Sequence, residues 1–263
     1  MAGAVGLSFA TMALVHPARP EPSPGEWLAL DDNVRGRLST SMSRATDITL
    51  LATALFPVGV GIGHGLDTPS ANATLFYGEV LTANLLVNTV VKYTVPRLRP
   101  YNYCVPPATA YVDSQGVDAC LSFYSGHAST AFAAAVGGSY LFTAAHPDSA
   151  MNPWLWGIES ALATATAVGR IRAGKHFYSD VAVGLVVGSA IGVGIPLLEG
   201  VHRSPSATEM AFAGGGVLLG GFGALVAPFH DDAPAPLAAA RFRFDVLPSF
   251  TQRTVGLSAI GTF

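Results

Sequence analysis

Three short stretches of an otherwise apolar sequence concentrate basic and imidazole side chains. They are KYTVPRLRP at residues 92–100, YSGHAS at residues 124–129 and GRIRAGKHFYSD at residues 169–180. Arginine offers paired planar N–H donors and lysine a compact positive charge, so Lys92, Arg99 and Arg170 are suited to a tetrahedral oxyanion. Ser125 and the backbone of Gly126 would add neutral donors. These residue types predict a phosphate-binding site.

Two histidines supply the reactive groups of this predicted site. His176 and Asp180 are four residues apart, so they lie on one face if the segment is helical. Asp180 would accept the proton on one ring nitrogen of His176 and expose the lone pair of the other, which makes His176 a nucleophile or base. Ser125-Gly126 precedes His127 at the start of an Ala-rich segment, where a helix N-terminus would point N–H groups and its positive dipole end at an anion. His127 can donate a proton there.

The two cysteines and the spacing of the acidic residues give no metal motif. Cys104 and Cys120 stand alone, and the sequence contains neither H-x-x-x-H nor C-x-x-C. We therefore expect lysine and arginine to neutralise the phosphate charge, with no metal and no cofactor. The two cysteines are either buried free thiols or a disulfide, which would add about 3 kcal/mol and would require an oxidising compartment such as a periplasm.

The composition restricts the class of protein. Half of the 263 residues are hydrophobic, only 12% are charged, and the mean hydropathy is +0.43. Such values are typical of a membrane protein or of an unusually apolar, helical soluble protein. The net charge of −3 at pH 7, together with the lack of a basic stripe in the sequence, argues against a nucleic-acid partner.

Six long apolar segments predict an all-α fold. They cover about residues 47–63, 73–95, 128–145, 154–170, 179–199 and 210–229. Their length favours helices over strands, and their closely spaced small residues suit helix packing in lipid. Residues 181–198 contain no charge and are the best candidate for a membrane span, whereas Pro57, Glu79 and Glu159 interrupt three other segments. A membrane-embedded bundle and a six-helix bundle in a soluble protein both remain open.

Further basic residues accompany the motifs. Arg97, Arg172 and Lys175 are interpreted as solvated or headgroup-facing charges that steer an anionic substrate. The clustering of Lys and Arg at one set of helix ends indicates either that these ends are cytoplasmic or that the cations serve a site.

The two ends of the chain differ from its centre. The apolar run Ala4–Val15 has the length of a signal-peptide core but lacks a basic leader, so we interpret residues 1–30 as an export signal, or its remnant, and a Pro-rich linker. Residues 31–230 would form the helical domain. In the tail, residues 231–263, the alternating stretch RFRFDV at 241–246 predicts a short β-hairpin.

The three stretches together read K-x6-R-P, then S-G-H, then R-x5-H-x3-D, between residues 92 and 180. This pattern resembles the three-part signature of the superfamily of type 2 phosphatidic acid phosphatases and vanadium haloperoxidases. The resemblance implies an all-α, six-helix bundle of the acid phosphatase and haloperoxidase type, with the motifs meeting at one end. Two positions depart from the usual motifs, since Tyr124 stands in place of a proline and Gly169 in place of a serine. These departures put efficiency in doubt more than reaction class.

The resemblance also implies a mechanism that agrees with the residue chemistry. His176 would attack phosphorus and form a phosphohistidine, while Asp180 would hold and polarise it. His127 would protonate the leaving oxygen and then activate water for the second step. Negative charge builds on the phosphoryl oxygens in the transition state. These oxygens would be held by Lys92, Arg99, Ser125, Gly126 and Arg170.

The leading hypothesis is a metal-independent phosphatase, a phosphoric monoester hydrolase acting on lipid phosphates such as phosphatidic acid or an isoprenyl diphosphate. It would lie in the cell envelope, either in a bacterial-type inner membrane with its active site facing the periplasm or in the periplasm itself. One alternative is a vanadium-dependent haloperoxidase, because the same cradle can hold vanadate, which would otherwise act as an inhibitor. Another is a non-catalytic membrane protein that binds anionic headgroups, against which the intact His176–Asp180 pair and His127 argue.

Overall fold

The computed structural model describes residues 28–65, 67–104 and 107–228, three residues further upstream (Pro17, Pro20 and Glu21), and the backbone of residues 243–251 and 254–262. The predicted export signal, Ala4–Val15, and most of the predicted linker lie outside the described residues. The described chain is mostly helical, in agreement with the expected α class.

Seven α-helices follow one another in the described chain. They are α1 (Thr40–His64), α2 (Thr68–Thr94), α3 (Thr109–Gln115), α4 (Gly126–Ala145), α5 (Asn152–Arg172), α6 (Tyr178–Leu198) and α7 (Ala207–Val226). Shorter 3-10 helices occupy Ala29–Val34, Pro100–Tyr103 and Gly116–Cys120. The six long helices coincide with the six apolar segments of the sequence, and α3 lies in the connection between the first two motifs.

Side-chain caps define where several helices begin. Ser39 Oγ accepts a hydrogen bond from the backbone N–H of Met42 at the start of α1, and an Asp67 carboxylate oxygen accepts from Ser70 N–H at the start of α2. Ser125 caps α4 in the same way. Each cap satisfies an N–H group that the first helical turn leaves without a partner.

Helix α4 is the central element of the fold. Most of its side chains are buried, and it packs against α1, α2, α5 and α6. Small residues permit close contact: a Cβ on Gly188 of α6 would lie 2.1 Å from the carbonyl oxygen of Ser129 on α4. Likewise, a Cβ on Gly220 of α7 would lie 2.1 Å from the carbonyl oxygen of Ala161 on α5. Backbone-to-backbone packing of this kind is a feature of helices in lipid.

Four of the helices, α1, α2, α6 and α7, are long and apolar enough to cross a membrane. The highest mean hydropathy, 2.3, belongs to α6, which contains the segment expected to be the best span. Large apolar side chains on the outer surface are exposed, among them Leu218, Leu219 and Phe222 on α7. Exposed apolar faces on such helices indicate a membrane protein.

The C-terminal residues 234–263 form a separate compact unit. Strand β1 (Arg243–Thr251) pairs antiparallel with β2 (Thr254–Thr262). Arg243 lies opposite Thr262, and Thr251 lies opposite Thr254.

Candidate active site

The three motifs meet at one end of the helices. Lys92 lies in the last turn of α2 and Arg99 in the loop that follows, while His127 lies in the first turn of α4. Arg170 lies in the last turn of α5, and His176 lies in the short link to α6. Side-chain contacts join the motifs, so the fold brings the sequence-predicted site residues together.

His176 is held in one tautomer by its two neighbours. Its Nδ1 lies 2.8 Å from the backbone carbonyl oxygen of Ser122, and its Nε2 lies 3.0 Å from Nη1 of Arg99. A carbonyl oxygen only accepts and a guanidinium only donates, so Nδ1 carries the proton and Nε2 presents a lone pair. Burial, followed by the charge of Arg99, lowers the pKa of His176 well below its usual value. The ring is therefore neutral and its Nε2 faces the cations.

Asp180 does not receive the proton of His176 directly, contrary to expectation. Its Oδ2 lies 3.7 Å from Nδ1 of His176, beyond hydrogen-bond distance. That oxygen instead accepts hydrogen bonds from Ser122 Oγ at 2.6 Å and from the backbone N–H of Phe177 at 2.9 Å. The carbonyl of the same Ser122 accepts the His176 proton, so Asp180 orients the histidine through Ser122.

Arg97 is buried in an ion-pair network, so its interpretation as a solvated steering charge was wrong. Its Nη1 donates to Asp180 Oδ1 at 2.6 Å and to Ser179 Oγ at 2.8 Å. Its Nη2 lies 3.1 Å from Oδ2 of Asp31, which is completely buried in the 3-10 helix before α1. Asp31 also accepts from the backbone N–H and hydroxyl of Ser179. A buried cation requires such paired anions, and this pairing fixes Asp180 in turn.

His127 is linked to α1 by a carboxylate. Its Nε2 lies 2.8 Å from Oδ1 of Asp47, which also lies 3.4 Å from Nη1 of Arg170. Burial and the charge of Arg170 lower the pKa of His127 to about 4, although the hydrogen bond and charge of Asp47 act in the opposite direction. His127 is therefore neutral near pH 7.

Arg170 is bound to α1 through one nitrogen of its guanidinium. Its Nη1 is within hydrogen-bond distance of Ser43 and Thr46 on α1 as well as Asp47. Its Nε is buried and has no hydrogen-bond partner within the described part of the chain. Burial and then the charge of Arg99 lower the pKa of Arg170 to about 10, so it stays charged at neutral pH. An unsatisfied buried N–H on a cation is a donor available to an anion.

The second motif supplies a helix N-terminus. Ser125 Oγ accepts from the N–H of Ala128 and its own N–H donates to the carbonyl of Asp180, so the hydroxyl proton is the group that Ser125 can offer an anion. Gly126 lies at the first position of α4. A Cβ there would lie 2.8 Å from Oδ1 of Asn88 and 3.5 Å from Cε of Lys92, so any larger residue would require the Asn88 side chain to move.

Two further cations and a carboxylate complete the site. Lys92 Nζ donates to the carbonyl of Leu121 at 2.8 Å, and Arg99 pairs with Asp118 at 2.6 Å. Burial tends to raise the pKa of Asp118, but the charges of Arg99, Lys92 and Lys175 outweigh it and hold the pKa at about 2. Lys175 was also misinterpreted as a solvated charge, because its side chain is only 6% exposed.

Arg172 has a structural role, contrary to the interpretation as a steering charge. Its Nη1 donates to the carbonyl oxygens of Ala224 and Ala227 at the C-terminal end of α7. A cation at this position satisfies carbonyl groups that the last helical turn leaves open.

The predicted disulfide is not formed in the structure. Cys104 and Cys120 are buried thiols that form no disulfide, and the thiol of Cys104 donates to the carbonyl oxygen of Gly36 at 3.3 Å. Engagement of this thiol with a different segment of backbone leaves the two cysteines as packed thiols.

Four site residues escaped the sequence analysis: Asp31, Asp47, Asp118 and Ser122. Asp31 and Asp47 lie far upstream of the motifs, in the segment before α1 and in α1 itself. Their partners are determined only when these two segments pack against the ends of the helices that carry the motifs. The position of Ser122 three residues before Ser-Gly-His was visible, but its relevant group is a backbone carbonyl that no side-chain pattern reveals.

Comparison with known proteins identifies the family. A family model described as the PAP2 superfamily matches residues 73–202, which include all three motifs. A search of curated proteins and a search of solved structures each find no match. The fold is mostly helical, and the basic side chains of the three motifs lie at one end of it. Residues 73–202, and with them the three motifs, belong to the PAP2 superfamily, as the motifs indicated. Membership of this superfamily points to phosphatase-type activity.

Proposed function

We propose that this protein is a metal-independent phosphatase that hydrolyses lipid phosphates or diphosphates through a phosphohistidine intermediate. One observation carries the proposal: the Nε2 lone pair of buried, neutral His176 faces Arg99 while Ser122 holds the proton on Nδ1. A neutral imidazole with a fixed lone pair is a nucleophile, and the adjacent guanidinium is placed to bind a phosphoryl oxygen.

The first chemical step transfers the phosphoryl group to His176. On substrate binding, a phosphoryl oxygen accepts the Arg99 N–H that otherwise donates to Nε2. The Nε2 lone pair then forms the N–P bond while the P–O bond to the leaving group breaks. The positive charge that develops on the ring is stabilised by the carbonyl of Ser122 and by Asp180, 3.7 Å from Nδ1.

His127 handles the proton in both steps. Before substrate binds it is neutral, because burial and the charge of Arg170 disfavour its charged form. A bound phosphate dianion offsets that positive field, so His127 becomes able to hold a proton and give it to the leaving oxygen. The second pKa of a phosphate ester is about 6, so below that pH the substrate itself carries the proton that the leaving oxygen needs. In the second step, neutral His127 takes a proton from water, whose oxygen attacks phosphorus as the N–P bond breaks.

A membrane location accounts for the exposed apolar helices beside the site. We propose a six-helix bundle of the acid phosphatase and haloperoxidase type, embedded in a bacterial-type inner membrane with the site end facing the periplasm. Four cations at that end, Arg97, Arg99, Arg170 and Lys175, are buried in the site or its ion pairs. Because these cations serve the site, their clustering does not indicate which side of the membrane the site faces. It therefore does not favour a cytoplasmic location for this end of the helices.

The test is phosphate release in the presence of a metal chelator from phosphatidic acid, an isoprenyl diphosphate and a soluble phosphate monoester. We expect turnover of a lipid substrate by the unmodified protein and none by His176→Ala. A phosphoenzyme labelled from radioactive substrate should be stable to alkali, labile to acid and missing in the variant. Full turnover by His176→Ala would contradict the mechanism. Peroxide-dependent halide oxidation after vanadate loading, without phosphatase activity, would instead support a haloperoxidase.

A further inference from the structure

Lys175 is a fourth buried cation of the site. It occupies one of the unspecified positions of the pattern R-x5-H-x3-D, directly before His176. Its carbonyl oxygen accepts a hydrogen bond from Nη1 of Arg99 at 2.8 Å, and the same nitrogen contacts His176. The backbone of Lys175 is therefore tied to the group that faces the nucleophile.

The ammonium group of Lys175 contacts two aromatic rings and one amide oxygen. Nζ lies 5.1 Å from the ring centre of Tyr101 and 5.0 Å from that of Tyr111, and it donates to Oε1 of Gln115 at 3.2 Å. Tyr111 and Gln115 are four residues apart, on the same face of α3. Two ring faces and an amide oxygen stabilise a cation without neutralising it.

The carboxylates of the site are bound mainly to other cations. Asp118 pairs with Arg99, and Asp47 contacts both His127 and Arg170. Lys175 is within electrostatic range of both carboxylates, but neither of them is its hydrogen-bond partner, which is Gln115. Burial, then the charges of Arg99 and Arg170, lower the pKa of Lys175 to about 7.

A charge count shows what this cation adds. Asp31, Arg97 and Asp180 form a separate network of two carboxylates and one cation. The rest of the described site has four cations, Lys92, Arg99, Arg170 and Lys175, and two carboxylates, Asp47 and Asp118. The cations exceed the carboxylates by two, whereas without Lys175 the excess would be one. One phosphoryl group already has Lys92, Arg99 and Arg170 available to it, so Lys175 is surplus to a single phosphoryl group.

We propose that Lys175, held by Tyr101, Tyr111 and Gln115, is a subsite for a second phosphoryl group, so that the protein acts preferentially on diphosphate esters. The inference rests on the proposed phosphatase function and selects among its substrates. A charge-assisted hydrogen bond from Lys175 to the second phosphoryl group would discriminate a diphosphate from a monophosphate on the same lipid chain.

The experiment compares farnesyl diphosphate with farnesyl monophosphate under chelator at pH 6, for the unmodified protein, Lys175→Met and Lys175→Arg. We expect the unmodified protein to favour the diphosphate. Lys175→Met should lower kcat/KM for the diphosphate about 10- to 100-fold and that for the monophosphate less than about threefold, which is the range for losing one charged hydrogen bond. Lys175→Arg should retain most of the preference. Arg35→Met is the matched control, because Arg35 also lies over a tyrosine, Tyr103 at 4.4 Å, and pairs with Asp32 outside the motifs.

Each outcome decides a separate question. Equal losses on both substrates, with an unchanged unfolding temperature, would show that Lys175 serves the first phosphoryl group or the packing of α3, and would overturn the subsite. A preference of the unmodified protein for the monophosphate would overturn it too. If the unmodified protein hydrolyses phosphatidic acid but neither farnesyl ester, the diphosphate preference is overturned, whereas if it hydrolyses none of the three, the phosphatase proposal fails. Calorimetric titration with inorganic pyrophosphate and orthophosphate then tests the subsite alone, because Lys175→Met should selectively weaken pyrophosphate binding.

Discussion

The backbone carbonyl oxygen of Ser122 lies 2.8 Å from Nδ1 of His176, whereas the nearest carboxylate oxygen of Asp180 lies 3.7 Å from the same atom. The Asp180 carboxylate acts on His176 indirectly. It accepts a hydrogen bond from the hydroxyl of Ser122 and so fixes the position of the Ser122 carbonyl, which orients the imidazole. The orientation of the nucleophile therefore depends on a chain of buried contacts that runs back through Arg97 to Asp31.

Replacing either end of the Ser122–Asp180 contact should have graded effects. Ser122→Ala removes the hydroxyl but keeps the carbonyl, so we expect kcat to fall only about tenfold, with little change in KM. Asp180→Asn leaves buried Arg97 short of an anion, so it should lower kcat further and destabilise the protein by about 3–5 kcal/mol. Steady-state kinetics and thermal unfolding in detergent measure both effects. An Asp180→Asn protein as active and as stable as Ser122→Ala would contradict this order.

Asp31 should influence catalysis without touching substrate. Asp31→Asn weakens the anchor of Arg97 and hence of Asp180, so we expect a lower kcat and a slower rate of phosphoenzyme formation at nearly unchanged KM. Asp31→Glu should restore part of the rate. The control is Asp32→Asn, because Asp32 is the neighbouring acidic residue and its 49% exposed side chain pairs with Arg35. If KM rose in proportion while kcat stayed constant, Asp31 would not act through the nucleophile.

Asp47 should set the pH at which His127 titrates. Its hydrogen bond and charge raise the pKa of His127 against burial and Arg170, which together leave that pKa at about 4. Asp47→Asn removes the negative charge that raises the pKa of His127. The acid limb of the kcat/KM profile should therefore move to lower pH, and kcat should fall about tenfold or more. Asp148→Asn, an exposed carboxylate between α4 and α5, serves as control. A limb that stays in place in Asp47→Asn would show that another group produces it.

The preference for a diphosphate should weaken above neutral pH. The pKa of Lys175 is lowered to about 7, so the free protein has the charged ammonium below that pH and loses it above. The ratio of kcat/KM for diphosphate to that for monophosphate should therefore decline between pH 6 and pH 8. In Lys175→Arg the guanidinium stays charged, so the ratio should stay level across this range. A decline of the same size in Lys175→Arg would assign the effect to a different group.

Close contact between α4 and α6 should make Gly188 intolerant of a side chain. A Cβ there meets the Ser129 backbone at 2.1 Å, whereas a Cβ on Gly194 of the same helix meets nothing within 4 Å. Gly188→Ala should destabilise the protein by about 1–3 kcal/mol or more, as overpacking does. Gly194→Ala should be neutral or slightly stabilising, because alanine favours the helix. Thermal unfolding of the two variants checks the difference.

The sequence by itself determined the local features. The six long helices follow from apolar segments whose length and composition leave helix as the favoured structure. The three motifs predicted the anion site, and residues such as Lys92, His127 and Arg170 lie at helix ends, which the sequence also indicated. The pairing of small residues was also visible in sequence as a tendency toward close helix contact.

Only the tertiary structure decided which partner each charged group has. The sequence placed Asp180 four residues from His176, yet the nearer acceptor is a carbonyl from a segment more than fifty residues away. Arg97, Arg172 and Lys175 looked alike in sequence, but burial places them in an ion-pair network, at a helix end and between two tyrosines. Spacing along the chain reports neighbours within a few turns of helix. The free energy of a buried charge is determined instead by the groups that packing brings around it.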